Sequence, residues 1–281
     1  MAEVSLFGKE NRVKIVDLRN TRLEALHGHT SKGDQPKWQR QGKWYKADHM
    51  GYEALAEVVI SRLLKKSNVK DFVCYEPVKV LYENEEKNAC VSMNFRENNE
   101  ILLPFERLHR AYHGRGLAAE LAQRETGEKI RYTVNFLEQT TELQQVGKYL
   151  TMLLELDAFF LNEDRHTNNL AVIRNEDTKE YRLCPVFDNG LSLLSDLNDY
   201  PMEEDVYCSI SHVKAKPFDQ DFDEQVSAAE MLYGPQLQFS FTRNDLMIAL
   251  EGLEEYYPIE TIDRVTRILR EQVRKYPVYF S

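Results

Sequence analysis

"LNEDRHTNNLAVI" (Leu161–Ile173) packs two acids, an arginine, a histidine and three asparagines between an apolar residue and an apolar run. A solvated surface turn accounts for polar loop residues in general. It does not account for what flanks this one. "ELQQVGKYLTMLLELDAFF" (142–160) comes just before, apolar nearly all round its second half, which predicts a buried helix. "NLAVIRNEDTKEYRLCPVFDNG" (169–190) comes after and reads as two strands around the turn "RNEDTK". A polar loop held between a buried helix and a hairpin sits on the kind of rigid support that positions functional groups.

Upstream the chain leans towards strands. "NRVKIVDLRN" (11–20) and "KWYKAD" (43–48) are strand candidates, and between them "HGHTSKGDQPKWQRQGK" (27–43) reads as an exposed loop or hairpin. "GYEALAEVVISRLLKK" (51–66) has helical periodicity, with Leu55, Val58, Val59, Leu63 and Leu64 on one broad face. "FVCYEPVKVLYE" (72–83) and "NACVSMNF" (88–95) suggest paired strands about a charged turn, giving the order β, β, α, β, β for the first hundred residues. Beyond "LLPFERLHR" (102–110) the pattern turns helical. "SDLNDYPMEEDVY" (195–207) reads as acidic and irregular, and helices are predicted at about 243–256 and 259–275. The expectation is an α+β fold of two lobes, a small mixed β/α lobe over residues 1–96 and a mostly helical lobe over 97–281.

Composition narrows the function classes. Lys plus Arg number 36 against 46 Asp plus Glu, a formal charge of −10, which argues against a broad nucleic-acid surface. No window approaches the apolar length of a membrane span, and the start lacks the basic-then-apolar order of a secretory signal. The four cysteines form no CxxC and have no histidines at metal spacing, so free thiols are expected. A cytoplasmic protein is the expectation, with delivery into a host cell left open.

Within the loop, Asp164 precedes Asn169 by the interval that separates base from metal-binding asparagine in a protein-kinase catalytic loop. One short stretch of irregular backbone can aim a carboxylate at an incoming hydroxyl and an amide oxygen at a metal. Asp188 in "CPVFDNG", after an apolar strand and before a small residue, suits chelation of the magnesium that bridges nucleotide phosphates. Lys46 lies on a predicted strand with Glu53 and Glu57 on the helix that follows, the pattern of a phosphate-binding lysine fixed by a glutamate. Each piece alone has a bland reading: a turn, a solvated strand lysine, an exposed helix face. Their order carries the weight. The Asp-x-His of "DRH" lacks the companion ligands of a metallophosphoesterase. The G-x-S-x-G elbow and the Walker pattern are both absent.

"SKGDQPKW", "WYKAD", "NEDRHTNN", "VFDNG" and "AKPFDQDFDEQV" together resemble the HipA-like serine/threonine kinases, and within them the compact bacterial cell-translocating kinase group. The resemblance spans about residues 27–230. It implies a protein-kinase-like fold, related to that of phosphoinositide kinases, and use of ATP and Mg²⁺. Residue by residue, it implies that "GDQPK", with Gly33, Gln35 and Lys37, covers the nucleotide phosphates. Lys46 would bind the α- and β-phosphates, with Glu57 rather than Glu53 as its partner. Met93, Asn94 and Phe95 would meet adenine. Asp164 would be the general base, His166 would lie near the γ-phosphate, and Asn169 and Asp188 would hold the metal. Thr30 and Ser31 occupy the place of an autophosphorylated hydroxyl. A counterpart of the further N-terminal subdomain of the full-length toxin is not expected in this chain. The expected partner is a protein substrate bearing a Ser or Thr hydroxyl, and a further partner protein is left open. The alternatives carried forward are a phosphoinositide kinase and a non-catalytic nucleotide-binding module. The acidic segment after Asp188 disfavours an anionic lipid headgroup.

Overall fold

The structure, a computed structural model, describes residues 13–23 and 35–280. Its first part is a five-stranded sheet with one helix. Strands β1 (Ile15–Asp17), β2 (Lys37–Arg40) and β3 (Lys43–Ala47) lead to α1 (Glu53–Leu64), followed by β4 (Glu76–Tyr82) and β5 (Glu85–Met93). The sheet order is β1-β4-β5-β3-β2, antiparallel except for β1 on β4. The second strand is one more than the sequence pattern suggests. It is made by a tight hairpin in which Gln41 and Gly42 both take positive φ, 52° and 73°, the backbone that matches the twist of paired strands. Glu83 and Asn84 (φ 50° and 64°) turn β4 into β5 in the same way. Conversely, Phe72 to Tyr75, read as strand, lie ahead of β4, and Phe72 makes a single bridge to Val186.

α1 is buried on nearly every side and packs on β5 and on a helix near the C-terminus. A helix apolar all round belongs between layers rather than on a surface. Glu53, with an exposed helix face as its bland reading, is buried because it closes the helix start. Its carboxylate accepts from the backbone N–H groups of Met50 at 2.7 Å and Gly51 at 3.0 Å. Gly51 is required by close approach. A Cβ there would stand 2.1 Å from the Ser195 carbonyl oxygen, where Tyr52 N–H donates to that same carbonyl.

The second part begins with β6 (Glu100–Pro104) and continues through α2 (Phe105–His113), α3 (Leu117–Leu121), α4 (Thr126–Thr141) and α5 (Val146–Phe160). After the polar loop come β7 (Ala171–Asn175) and β8 (Tyr181–Leu183), which join β6 in a three-stranded antiparallel sheet. α6 (Val206–His212), α7 (Phe222–Tyr233), α8 (Arg243–Leu250) and α9 (Ile259–Lys275) complete the described helices, with short 3₁₀ turns at Leu253–Glu255 and Pro277–Tyr279. The apolar run before the loop is α5, packed against α4, α7 and α9. The acidic stretch read as irregular ends in α6, whose start is capped by Asp205. One core runs through α1, α5 and α9, and a smaller one lies on the sheet around Trp38, Val78 and Val80. None of the helices among the described residues is long and apolar enough to cross a membrane. All four cysteines are free thiols, but against the spacing read from the sequence Cys208 stands with His212 and Glu204 on and beside α6, their ligand atoms within 4.8 Å of one another.

Candidate active site

The polar loop leaves α5 through Leu161, which takes a left-handed conformation (φ 57°) as the helix ends. Below the loop lies a buried ion pair. Arg165 donates to both carboxylate oxygens of Asp157, at 3.2 and 2.9 Å from Nε and 3.0 Å from Nη2, and both residues are 1 % exposed. The rest of the guanidinium is also used, by the Phe187 carbonyl at 3.0 Å and Asn189 Oδ1 at 2.8 Å. Burial works against the charge on Arg165, and Asp157 more than restores it, so the guanidinium stays ionised. Asn162 adds a bond to Asp157 at 2.9 Å and accepts from the Asp164 N–H at 3.1 Å. The loop backbone is therefore tied to the helix that precedes it.

The network continues to the sheet. Asn189 N–H donates to Glu57 Oε2 at 3.0 Å, and Glu57 Oε1 accepts from Lys46 Nζ at 2.5 Å. Lys46 Nζ also donates to Asp188 Oδ1 at 2.7 Å, and Lys37 Nζ reaches the same oxygen at 3.3 Å. Burial works to lower the Lys46 pKa, and the carboxylates of Asp188 and Glu57 overcome it, holding the ammonium well above its usual range. Burial likewise works to raise the Asp188 pKa, and Lys37 and Lys46 overcome it, keeping the carboxyl ionised to well below the usual carboxylate range. Asp188 sits at φ 59°, a conformation that aspartate tolerates better than most residues.

Asp164 faces this cluster from the loop. Its Oδ2 accepts from Asn169 Nδ2 at 2.9 Å, and the same amide donates to the Asp164 carbonyl at 2.8 Å, leaving Asn169 Oδ1 outside both bonds. Asp164 Oδ1 is buried yet has no hydrogen-bond partner among the described residues, and neither ring nitrogen of His166 has one. His166 Nε2 stands 3.7 Å from Asp164 Oδ1, and Lys216 Nζ 3.8 Å from it. Burial and then the Asp188 carboxylate push the Asp164 pKa up to about 6, with Lys216 opposing; burial lowers that of His166.

The structure thus gathers Lys37, Lys46, Glu57, Asp188, Asp164, His166 and Asn169 in one place. Gln35 lies beside them, buried, with its Oε1 3.6 Å from where a Cβ on Gly190 would stand. Met93 is exposed at the end of β5. The Asn94 N–H is taken by the Gly42 carbonyl at 2.8 Å, and the Phe95 carbonyl by Arg182 at 3.0 Å. Thr30, Ser31 and Gly33 lie outside the described residues. Sequence reasoning left out the Asp157–Arg165 pair, the Asn189 bridge and Lys216. "AKPF" was visible as a motif, but no local spacing ties position 216 to position 164.

The fold is shared with solved structures. The Helicobacter pylori proinflammatory kinase CtkA matches with a TM-score of 0.55 and 16% sequence identity over 93% of this chain and 94% of its own. HipA, from the Shewanella oneidensis MR-1 toxin–antitoxin complex of HipA, HipB and operator DNA, matches with a TM-score of 0.50 and 11% identity. That match covers 88% of this chain and 65% of HipA. No family model matches the chain, and no curated protein does. The chain has a HipA-like, two-lobed protein-kinase-like fold.

Proposed function

We propose that the chain is an ATP- and Mg²⁺-dependent protein kinase that phosphorylates Ser or Thr hydroxyls, its own included. The observation that carries this reading is a buried carboxylate oxygen, Asp164 Oδ1, left without a hydrogen bond opposite an intact Lys46–Glu57–Asp188 chain in a HipA-like fold. An unsatisfied buried acceptor is costly in a folded protein and is kept where a ligand completes it. A hydroxyl donor fits that oxygen.

The donor set also fits a hard cation and phosphates. Asp188 and Asn169 offer oxygens, the ligands that Mg²⁺ takes, and Lys46 and Lys37 crowd one carboxylate as cations do where phosphate oxygens are to be met. Bound there, magnesium would supply charge neutralisation at the phosphates. The chain's own residues do the rest. Glu57 fixes the Lys46 ammonium by its short bond, Asn169 orients the Asp164 carboxylate, and Asp164 Oδ1 accepts the proton of the attacking hydroxyl. Catalysis of this kind is largely positional and electrostatic. Thr30 and Ser31 are the proposed autophosphorylated positions. A phosphate there adds about −1.5 to −2 charges beside the phosphate-binding segment and is proposed to weaken ATP binding. A division of the chain at residues 96 and 97, between the sheet lobe and the helical lobe, belongs to the same reading.

The test is incubation of the pure protein with γ-labelled ATP and Mg²⁺, alone, with a panel of proteins, and with phosphoinositide vesicles. Label on Ser or Thr of protein, absent when Mg²⁺ is chelated, is the expected result. Label on lipid alone would replace this reading with the lipid-kinase one, and no transfer with tight nucleotide binding would leave a regulatory module.

A further inference from the structure

"AKPFDQDFDEQV" (Ala215–Val226) brings one side chain, Lys216, to the edge of the site, and the function proposed above gives it no role. Its first half is a turn held from several sides. Gln225 on α7, fully buried, accepts through Oε1 from the Phe218 N–H at 2.9 Å and the Asp219 N–H at 3.3 Å. Its Nε2 donates to the Lys216 carbonyl at 3.2 Å. Lys129 on α4 donates to the Phe218 carbonyl at 2.8 Å, and Ala215 N–H to the Gln220 carbonyl at 2.8 Å. Ala215 and Phe218 are themselves buried. A backbone pinned at this many points fixes where the one long side chain between them can reach. That side chain is Lys216, and it reaches Asp164.

A surface lysine resting near an acid is the plain alternative, and Lys216 is indeed 42% exposed along its side chain. Three details favour more than that. Lys216 Nζ and His166 Nε2 approach the same Asp164 oxygen at 3.8 and 3.7 Å, too far for hydrogen bonds and near enough to enclose a small group. The Asp164 oxygen and both His166 nitrogens are buried without partners among the described residues. Lys37 and Lys46 are both committed to Asp188, so the Asp164 side of the site needs its own positive charge if an anion is to pass between two carboxylates.

We infer that Lys216 is a further catalytic residue, whose ammonium binds the oxygens of the γ-phosphoryl group during its transfer from nucleotide to hydroxyl. The inference rests on the kinase reading. In the step, the acceptor oxygen forms a bond to the γ-phosphorus while the bond from that phosphorus to the β,γ-bridging oxygen breaks, its electron pair leaving with ADP. The hydroxyl proton goes to Asp164. Lys216 keeps its protons and supplies charge alone, where the three equatorial oxygens of the group in transit carry theirs.

Lys216→Met and Lys216→Arg in the full chain test this. The Met variant should lose about 10²- to 10³-fold in kcat, the range for removal of one preorganised donor, with KM for ATP within about threefold. The Arg variant should recover most of that loss. A second measurement needs no turnover: calorimetric affinity for Mg·ADP with and without tetrafluoroaluminate, a mimic of the phosphoryl group in transit. Wild type should bind ADP more tightly with the mimic, and the Met variant should lose that gain while binding ADP alone as before. A Met variant with wild-type kcat, or with the full gain from the mimic, overturns the inference. So does an equal loss in ADP binding alone, which marks a structural role. A wild type that neither binds Mg·ADP nor transfers phosphate overturns the kinase reading itself, and Lys216 falls with it.

Discussion

Arg165 and His166 are neighbours in the chain and opposites in the structure. Arg165 points down, is 1 % exposed, and spends its guanidinium on Asp157, Asn189 and the Phe187 carbonyl. His166 points into the site, and neither of its ring nitrogens has a hydrogen bond among the described residues. The same division separates Asp157, which is saturated, from Asp164, one of whose buried oxygens is not. The lower half of the loop is closed chemistry that holds a shape. The upper half is open, and open buried polar atoms are what a ligand-binding site looks like before its ligand. A third carboxylate sharpens the contrast. Glu155 lies on α5 just before Asp157, and instead of an arginine it has the backbone N–H groups of Gln236 and Leu237. Burial pushes its pKa up to about 8.

The largest effect is expected from the closed half. Asp157→Ala leaves Arg165 charged and buried without its partner, and truncation of one member of such a pair costs about 3–5 kcal/mol. Chemical denaturation should show that loss, and a variant as stable as wild type would mean that the loop is not held from below. Glu155→Gln comes next and is read as a pH dependence. A carboxyl with a raised folded pKa keeps its proton where the unfolded chain has lost it. Its stabilisation is therefore complete below the ordinary glutamate value and is lost as pH rises towards 8, by at most about 1.4 kcal/mol per pH unit. The melting temperature of the Gln variant should gain on that of wild type between pH 5 and 8, whatever constant the lost acceptor costs. A difference that stays flat with pH would mean that the Glu155 carboxyl loses its proton in the fold where the unfolded chain loses it. Asp188→Ala removes one of the two carboxylates that hold the Lys46 ammonium, Glu57 keeping the other, and should weaken metal-dependent nucleotide binding by about tenfold or more. Calorimetry with Mg²⁺·ATP and with ATP in EDTA checks this. Equal affinities with and without metal in both proteins would remove Asp188 from the proposed metal site.

Much of the open half could be read from the sequence, and little of the closed half. Asp164, Asn169, Asp188, Lys46 and Glu57 stand in an order whose intervals and flanking patterns announce them, and the fold brings them to one place. Choosing Glu57 over Glu53 needed the resemblance. The structure supplies the reason, since the Glu53 carboxylate is spent on the N–H groups before its own helix. The contacts between Lys37 and Asp188, Asn189 and Glu57, and Lys216 and Asp164 join residues far apart in sequence, and no local period records them. α7 carries a legible start signal, since Asp221 caps it with Asp223 and Glu224 in the first turn. β2 lies inside a stretch whose Gly, Pro and polar residues read as an exposed loop or hairpin, and the second half of that stretch is the first arm of a hairpin with β3.

The claim at the centre is that Asp164 Oδ1 is a base waiting for a hydroxyl rather than a stray buried acceptor. Asp164→Asn keeps the shape and the bond to Asn169 and removes the basicity. Phosphate transfer from labelled ATP and the affinity for Mg²⁺·ATP should be measured on one preparation of wild type and variant. Transfer should fall about 10²- to 10⁴-fold while nucleotide affinity stays within about threefold. Transfer at the wild-type rate in the Asn variant would contradict it.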